Sequence, residues 1–233
     1  MIFRWTIGPT NSNGLDCLME SIKSFQKFYP NNEYYLFFNQ IDRKTLYRFE
    51  KLNLIIKDQN EFKFKINDKC KSQLKLIPSR VNINKQEIFI DNDLLITKRI
   101  EKIDYFIKSD NNTIICEDVK RFYGIFNKLI DENFCTNTGL FGLPSNFDFS
   151  VSNYYKTNNE WKSNYDEQGF LSLILLKHNP IIINLNEIAI MSHDFCSERA
   201  FNPIKSGYHF VGLNCKETHK SWNLFKTNTI KQI

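Results

Sequence analysis

The chain has 233 residues, enough for one core that buries roughly 70% of the surface exposed on unfolding. Its 42% apolar, 24% charged and 15% aromatic residues, with only 8 Gly and 6 Pro, exclude collagen-like, repetitive and wholly disordered chains. Against 26 acidic residues stand 31 basic ones, a formal charge of +5, but the cations are scattered among the acids, so nucleic acid is not an expected partner. A phosphorylated small molecule needs only two or three of them.

Phe3 to Gly8 is short and β-prone and stops in a Gly-Pro-Thr-Asn-Ser-Asn-Gly loop. Leu15, Leu18, Met19, Ile22 and Phe25 recur at helical spacing, which predicts an amphipathic helix over Gly14 to Phe28, ended by Pro30. Glu33 to Asn39 reads as a second strand, Arg43 to Lys51 as a second helix and Leu52 to Lys57 as a third strand. This alternation predicts an α/β fold with a mainly parallel central sheet flanked by helices, and ligands at the carboxyl ends of its strands.

Ser72 to Ser79 is helical or turn-like, and Glu87 to Ile90 is a short, almost wholly apolar strand that runs straight into Asp91-Asn92-Asp93. Beyond it, the pattern predicts a strand at Ile114 to Glu117, a helix at Val119 to Leu129 and an extended segment at Phe134 to Leu143. A strong helix follows at Glu167 to Lys177, then a strand at Ile181 to Ile183 and a last polar and aromatic segment at Tyr208 to Gly212. No repeat, linker or low-complexity tract divides the chain, so residues 1–233 read as one domain.

The six cysteines are dispersed, with no CxxC pair and no close Cys/His cluster of the structural-zinc kind. The opening segment turns polar by Thr10, too soon for a signal-peptide core, and no apolar stretch approaches the length of a membrane span. The expectation is a soluble protein of a reducing compartment, the cytoplasm.

Asp91 and Asp93 carry the least ordinary chemistry. Residues i and i+2 of a strand point to one side, so at a frayed strand end both carboxylates can converge on one cation. Hard oxygen donors suit magnesium or manganese, which proteins commonly share with substrate phosphates. The alternative is a turn in which the two aspartates cap backbone amides.

The stretch Lys75-Leu76-Ile77-Pro78-Ser79-Arg80, then Glu87 to Ile96, resembles the donor-site segment of GT-A glycosyltransferases, particularly the glycogenin-like retaining families. Asn137-Thr138-Gly139 resembles their Asn-x-Gly strand, Glu167-Gln168 their Asp-Gln pair, and His209-Phe210-Val211-Gly212 their His-x-x-Gly motif, all in the family's order. The resemblance implies a single GT-A domain, with residues 1–96 as the nucleotide half and 97–233 as the sugar and acceptor half. It implies Mn2+ or Mg2+ held by Asp91, Asp93 and His209; His193, which follows a late strand, is the fallback ligand. The implied donor is a nucleoside diphosphate sugar, UDP-linked on family grounds. Thr6, Ile7 and Gly8 would meet base and ribose through backbone groups, Lys75, Arg80 and Asn92 the donor, Asn137 a sugar hydroxyl, and Gly212 with Lys216 or Lys220 the phosphates. Asp166, Glu167 and Gln168 would lie at the reacting sugar.

Each residue also has a plain alternative: Gly8 as a turn, Arg80 and Lys75 as surface charges, Asn137 as an edge residue, and the Asp166-Glu167 pair as acids that favour a helix start. Haloacid-dehalogenase-type phosphatases also run a strand into DxD, but theirs is the first strand. Sugar nucleotidyltransferases begin with a Gly-rich basic loop that Gly8-Pro9-Thr10-Asn11 lacks. The expected function is metal-dependent transfer of a sugar to a glycan, protein or lipid acceptor, with retention. The alternative is a non-catalytic nucleotide- or glycan-binding module on the same fold.

Overall fold

The computed structural model describes residues 1–62, 71–150, 161–191, 205–213 and 218–228. Strand β1 (Ile2–Ile7) leads through a loop to helix α1 (Ser12–Phe28), whose start is set by Asn11, its side chain accepting from the Gly14 N–H. The chain continues through β2 (Glu33–Phe38), a one-turn α2 (Arg43–Leu46) and β3 (Ile55–Asp58). The second helix is shorter than its sequence suggests, tightening into a 3-10 turn at Tyr47–Phe49. After a further 3-10 turn at Lys71–Leu76 come β4 (Glu87–Ile90), β5 (Leu94–Ile96), α3 (Glu101–Ser109) and β6 (Ile114–Glu117). Strand β7 (Thr136–Leu143), α4 (Asn164–Leu175), β8 (Ile181–Ile183), β9 (Ile188–Ile190), β10 (Gly207–His209) and α5 (Lys220–Asn228) complete the order.

Among the described residues, seven strands form one sheet in the order β3-β2-β1-β4-β7-β6-β8. Strand β7 runs antiparallel to both neighbours and every other pair is parallel. A smaller sheet, β5-β10-β9, lies beyond the end of β4. The fold class expected from the alternation of elements is the one observed.

Central β4 is buried on both faces, which is why its sequence is apolar throughout. Ile88 and Ile90 join Trp5, Leu18, Phe25 and Phe106 on one side, and Phe89 joins Phe141, Phe170 and Leu175 on the other. Each such side chain contributes about 1.5–3 kcal/mol on leaving water. The exception is Glu87, fully buried between Arg4 at 2.8 Å and Arg80 at 3.2 Å. Arg80 also donates to the carbonyls of Lys85, Pro144 and Phe147. This corrects the expectation that Arg80 meets a donor molecule: its guanidinium neutralises a buried carboxylate at the amino end of β4.

The segment Val119–Leu129 is the second correction. It is a loop with a 3-10 turn at Gly124–Phe126, not a helix. Gly124 has φ +51, and a Cβ there would fall 1.8 Å from the Asp166 carboxylate, which instead accepts the Ile125 N–H. Tertiary hydrogen bonding from α4 thus replaces the helical ladder.

Candidate metal and anion site at the ends of β1 and β4

The chain leaves β4 in a tight turn, the Leu94 N–H donating to the Asp91 carbonyl at 3.3 Å, and enters the small sheet as β5. There Leu94 pairs with His209 across antiparallel strands, and the Phe210 N–H donates to the Asp93 carbonyl at 2.8 Å. Sheet pairing therefore delivers a distant histidine to the aspartates. Nε2 of His209 lies 3.1 Å from Oδ1 of Asp93 and 3.8 Å from Oδ2 of Asp91. One ligand atom from each of the three residues lies within 4.8 Å of the others. Neighbouring donors in an octahedron with bonds of about 2.1 Å stand about 3 Å apart, so the cluster fits one divalent cation.

The surroundings also fit a cation. His209 is 5% exposed, and its Nδ1 has no hydrogen-bond partner. Burial alone would discourage its protonation, but Asp93, Asp91 and Asp118 outweigh that and raise its pKa. Lys75, from the Lys71–Leu76 turn, places Nζ 2.7 Å from Asp91 and 3.5 Å from Glu167. Burial works against its charge, yet the two carboxylates prevail and hold it protonated. Glu167 is 2% exposed, and burial, opposed by Lys75 and reinforced by Asp91, pushes its pKa up to about 7. Its Oε1 is buried without a partner. A group of acids this crowded calls for positive charge from a lysine, an imidazolium or a metal ion.

A cleft of about 250 Å³ opens beside the cluster, lined by Thr6, Gly8, Thr10, Lys75, Asp91, Asn92 and Asp93 among others. The structure thus gathers six of the expected donor and metal residues around one space at the carboxyl ends of β1 and β4. Ile7 is not among them: it is 1% exposed and packs in the core, while its carbonyl accepts the Asn39 N–H. Its side chain thus serves the core, and of the backbone groups expected to meet base or ribose its carbonyl is engaged within the sheet by Asn39.

On the other flank stands a polar cluster built on a residue the sequence analysis did not single out. Asp118, just beyond β6, accepts from Asn137 Nδ2 at 3.1 Å and Gln168 Nε2 at 3.2 Å. Gln168 also donates to the Thr136 carbonyl at 3.0 Å. The pairing of β6 with β7 shifts register between Ile115 and Cys116, and this irregularity lies against Asn137 to Phe141. Gly139 sits there because a Cβ would fall 2.3 Å from the His209 ring. Asp118 follows an ordinary strand, and nothing in Glu117-Asp118-Val119 sets it apart.

Asp166 is the third correction. It is 1% exposed, and its oxygens accept the N–H groups of Ile125, Lys162 and Ser163, closing a capping box at the start of α4. Both oxygens are committed to backbone, so Asp166 shapes the helix start and leaves Glu167 and Gln168 to face the site. Gly212 lies in the turn after β10 at φ +85, a backbone shape that favours glycine. Lys216 and His193 lie outside the described residues, and Lys220 begins α5 with its side chain exposed.

No protein-family model matches the chain, and no curated protein matches it in sequence. Solved structures do match. A galactosyltransferase, LgtC, in complex with donor and acceptor sugar analogues superposes with a TM-score of 0.57 at 13% identity, over 91% of this chain and 87% of that one. Mouse xyloside xylosyltransferase 1 gives 0.55 at 11% identity, over 92% and 99%. The glycosyltransferase GlyE of Streptococcus pneumoniae TIGR4 gives 0.58 at 12% identity, over 97% and 59%. With its seven-stranded, mainly parallel sheet and its acidic turn at the end of the fourth strand, the chain has the GT-A fold of these glycosyltransferases.

Proposed function

We propose that this chain is a metal-dependent glycosyltransferase that moves a sugar from a nucleoside diphosphate donor, UDP-linked, to a hydroxyl acceptor with retention of configuration. The observation that carries the reading is the convergence of Asp91, Asp93 and His209 on one point at the mouth of a cleft that also holds Thr6, Gly8 and Lys75. Fold likeness supports sugar transfer, and UDP and retention rest on the family resemblance of the motifs.

Asp91, Asp93 and His209 would hold Mn2+ or Mg2+, which as a Lewis acid supports departure of the diphosphate. Lys75, kept protonated by its neighbours, supplies a second positive charge beside the same phosphates. Thr6 and Gly8 offer backbone groups to the base and ribose, with Asn92 at the cleft wall. Asn137, Asp118 and Gln168 form a preorganised polar surface for sugar hydroxyls, since their mutual hydrogen bonds fix each side chain before a ligand arrives. Gly212, with Lys216 or Lys220, would contact the phosphates, as the motif resemblance implies. In this reading residues 1–96 bind nucleotide and 97–233 sugar and acceptor.

Thermal melting against UDP, GDP, CDP, ADP and TDP, each with manganese or with chelator, tests the proposal. Saturation near a hundredfold over Kd adds about 2.7 kcal/mol, a rise of roughly 5–10 °C for a chain of this size. A manganese-dependent rise with UDP supports it. No rise with any nucleotide overturns it in favour of a glycan-binding module or a structural role for the aspartate turn.

A further inference from the structure

Asp118 stands where two amide side chains meet. Its Oδ2 accepts from Asn137 Nδ2 at 3.1 Å and from Gln168 Nε2 at 3.2 Å, while Oδ1 accepts the Val119 N–H at 2.7 Å. Both oxygens are committed and Asp118 is buried, so the carboxylate is held in one orientation. Carboxylates and backbone carbonyls accept hydrogen bonds and never donate them. Gln168 Nε2 faces one of each, Asp118 Oδ2 and, at 3.0 Å, the Thr136 carbonyl. The amide nitrogen must therefore point inward with both hydrogens engaged, and the oxygen outward. Among the described residues none donates to Gln168 Oε1. Ser172, four residues on and so on the same face of α4, accepts from Thr136 Oγ1 at 2.8 Å and holds α4 against β7. Asn137 is set in the same way, its Oδ1 accepting the Gly139 N–H at 2.7 Å and its nitrogen turned to Asp118. Gly139 lies against the His209 ring, so this network abuts the metal cluster.

Resting on the sugar-transfer reading, we propose that Asp118 is the positioning residue that fixes the polarity of the Gln168 amide, so that a carbonyl oxygen rather than an NH2 group faces the sugar carbon that loses the diphosphate. As the bond from that carbon to the diphosphate oxygen breaks, its electron pair leaves with the diphosphate. The acceptor oxygen bonds the carbon and passes its proton to the diphosphate. Gln168 forms no bond in this step. Positive charge grows on the sugar carbon meanwhile, and the negative end of a fixed carbonyl dipole stabilises it where an NH2 group would oppose it. The chain therefore needs a carboxylate at residue 118, not merely a polar side chain of the same shape.

In Asp118→Asn the side-chain oxygen stays with the Val119 N–H, and the new NH2 group faces the nitrogens of Asn137 and Gln168. The Gln168 amide then turns its oxygen inward or loses its anchor. Release of UDP from UDP-glucose, UDP-galactose, UDP-xylose and UDP-N-acetylglucosamine with manganese gives kcat, and titration with UDP gives affinity. The variant should lose about a hundredfold in kcat with the best donor, with the Kd for UDP changed less than about twofold. In the Gln168→Ala background the same substitution should cost less than about twofold, since no amide remains to orient. An unchanged kcat, or full additivity in the double variant, overturns the proposal. The amide is also read in the parent chain without nucleotide. There the Gln168 side-chain NH2, identified by its absence from the spectrum of Gln168→Ala, should exchange with solvent at least about tenfold more slowly than that of exposed Gln40. Exchange as fast as at Gln40 overturns the proposal even where Asp118→Asn fails to fold. A parent that binds no nucleotide overturns the sugar-transfer reading on which this rests. UDP binding with no release from any donor overturns this proposal alone and leaves a nucleotide-binding module.

Discussion

Replacing Gly139 by alanine asks whether the site depends on where the His209 ring is held. A methyl group at residue 139 would lie 2.3 Å from Cε1 and 2.5 Å from Nδ1 of His209, and 2.8 Å from Oδ1 of Asn137. Carbon contacts settle near 3.5 Å or more, so about 1 Å of movement is required. The backbone is poorly placed to supply it. The Gly139 carbonyl accepts the Asp91 N–H at 2.7 Å, and its own N–H is bound by Asn137 at 2.7 Å. The imidazole must yield, and Nε2 then leaves its 3.1 Å contact with Asp93.

Overpacking of this kind costs about 1–3 kcal/mol, and each kcal/mol lowers Tm by about 2–4 °C in a chain of this size. Disturbing the orientation of a ligating histidine lowers metal affinity about 10–100-fold. Two measurements check the argument: manganese titration by calorimetry in the presence of UDP, and thermal melts of Gly139→Ala alone and combined with His209→Ala. Removing the imidazole makes room for the methyl, so the alanine should cost much less stability in the His209→Ala background. Equal costs in both backgrounds, or an unchanged manganese affinity in Gly139→Ala, would refute the reasoning.

Three further outcomes are expected. Asp93→Asn should abolish the manganese-dependent part of nucleotide stabilisation while leaving the fold intact, because it removes ligand charge at a turn; unfolding of the variant would show the pair to be structural. Asp166→Ala should lower stability by about 2–4 kcal/mol, since three backbone N–H groups lose their acceptor, with UDP affinity of the folded protein changed less than twofold; a selective loss of affinity at unchanged Tm would put Asp166 back in the site. Glu167 holds its proton more tightly in the folded chain than the ordinary 4.5 allows, so its contribution to metal-free stability is complete below about pH 4.5 and is lost as pH rises through about 7. Glu167→Gln should remove that part of the slope in a series of chelator-treated melts, and an unaltered slope would assign it to other groups.

What could be read in the sequence is what short-range chemistry writes there. An apolar run ending in two acids marks a buried strand and its mouth, so Asp91 and Asp93 were legible. His209 was legible through its motif, but its reason for being near the pair, antiparallel pairing with Leu94, was not. Asp118 was silent because its role comes from amides 19 and 50 positions away. Arg80 looked like a phosphate contact because its partner, Glu87, looked like the first residue of a strand. Asp166 looked like a site acid because a capping box and a catalytic carboxylate use the same residue at the same helix start.

These misreadings share a cause: a charged residue one strand or one turn from a site is cheap to place by sequence and decided only by which neighbour claims it. The metal cluster shows the converse. The aspartates are held by a local turn at the end of the large sheet, while His209 arrives through the small sheet, whose core includes Tyr208, Phe210, Trp222 and Phe225. A cation bound by all three residues joins the two sheets across the Asp93–Phe210 contact. Ligand binding to the folded state alone stabilises it by mass action, so manganese should protect β10 and β5 from hydrogen exchange more than it protects β2 and β3. Uniform protection across both sheets would mean that the ion, if it binds, does not use His209.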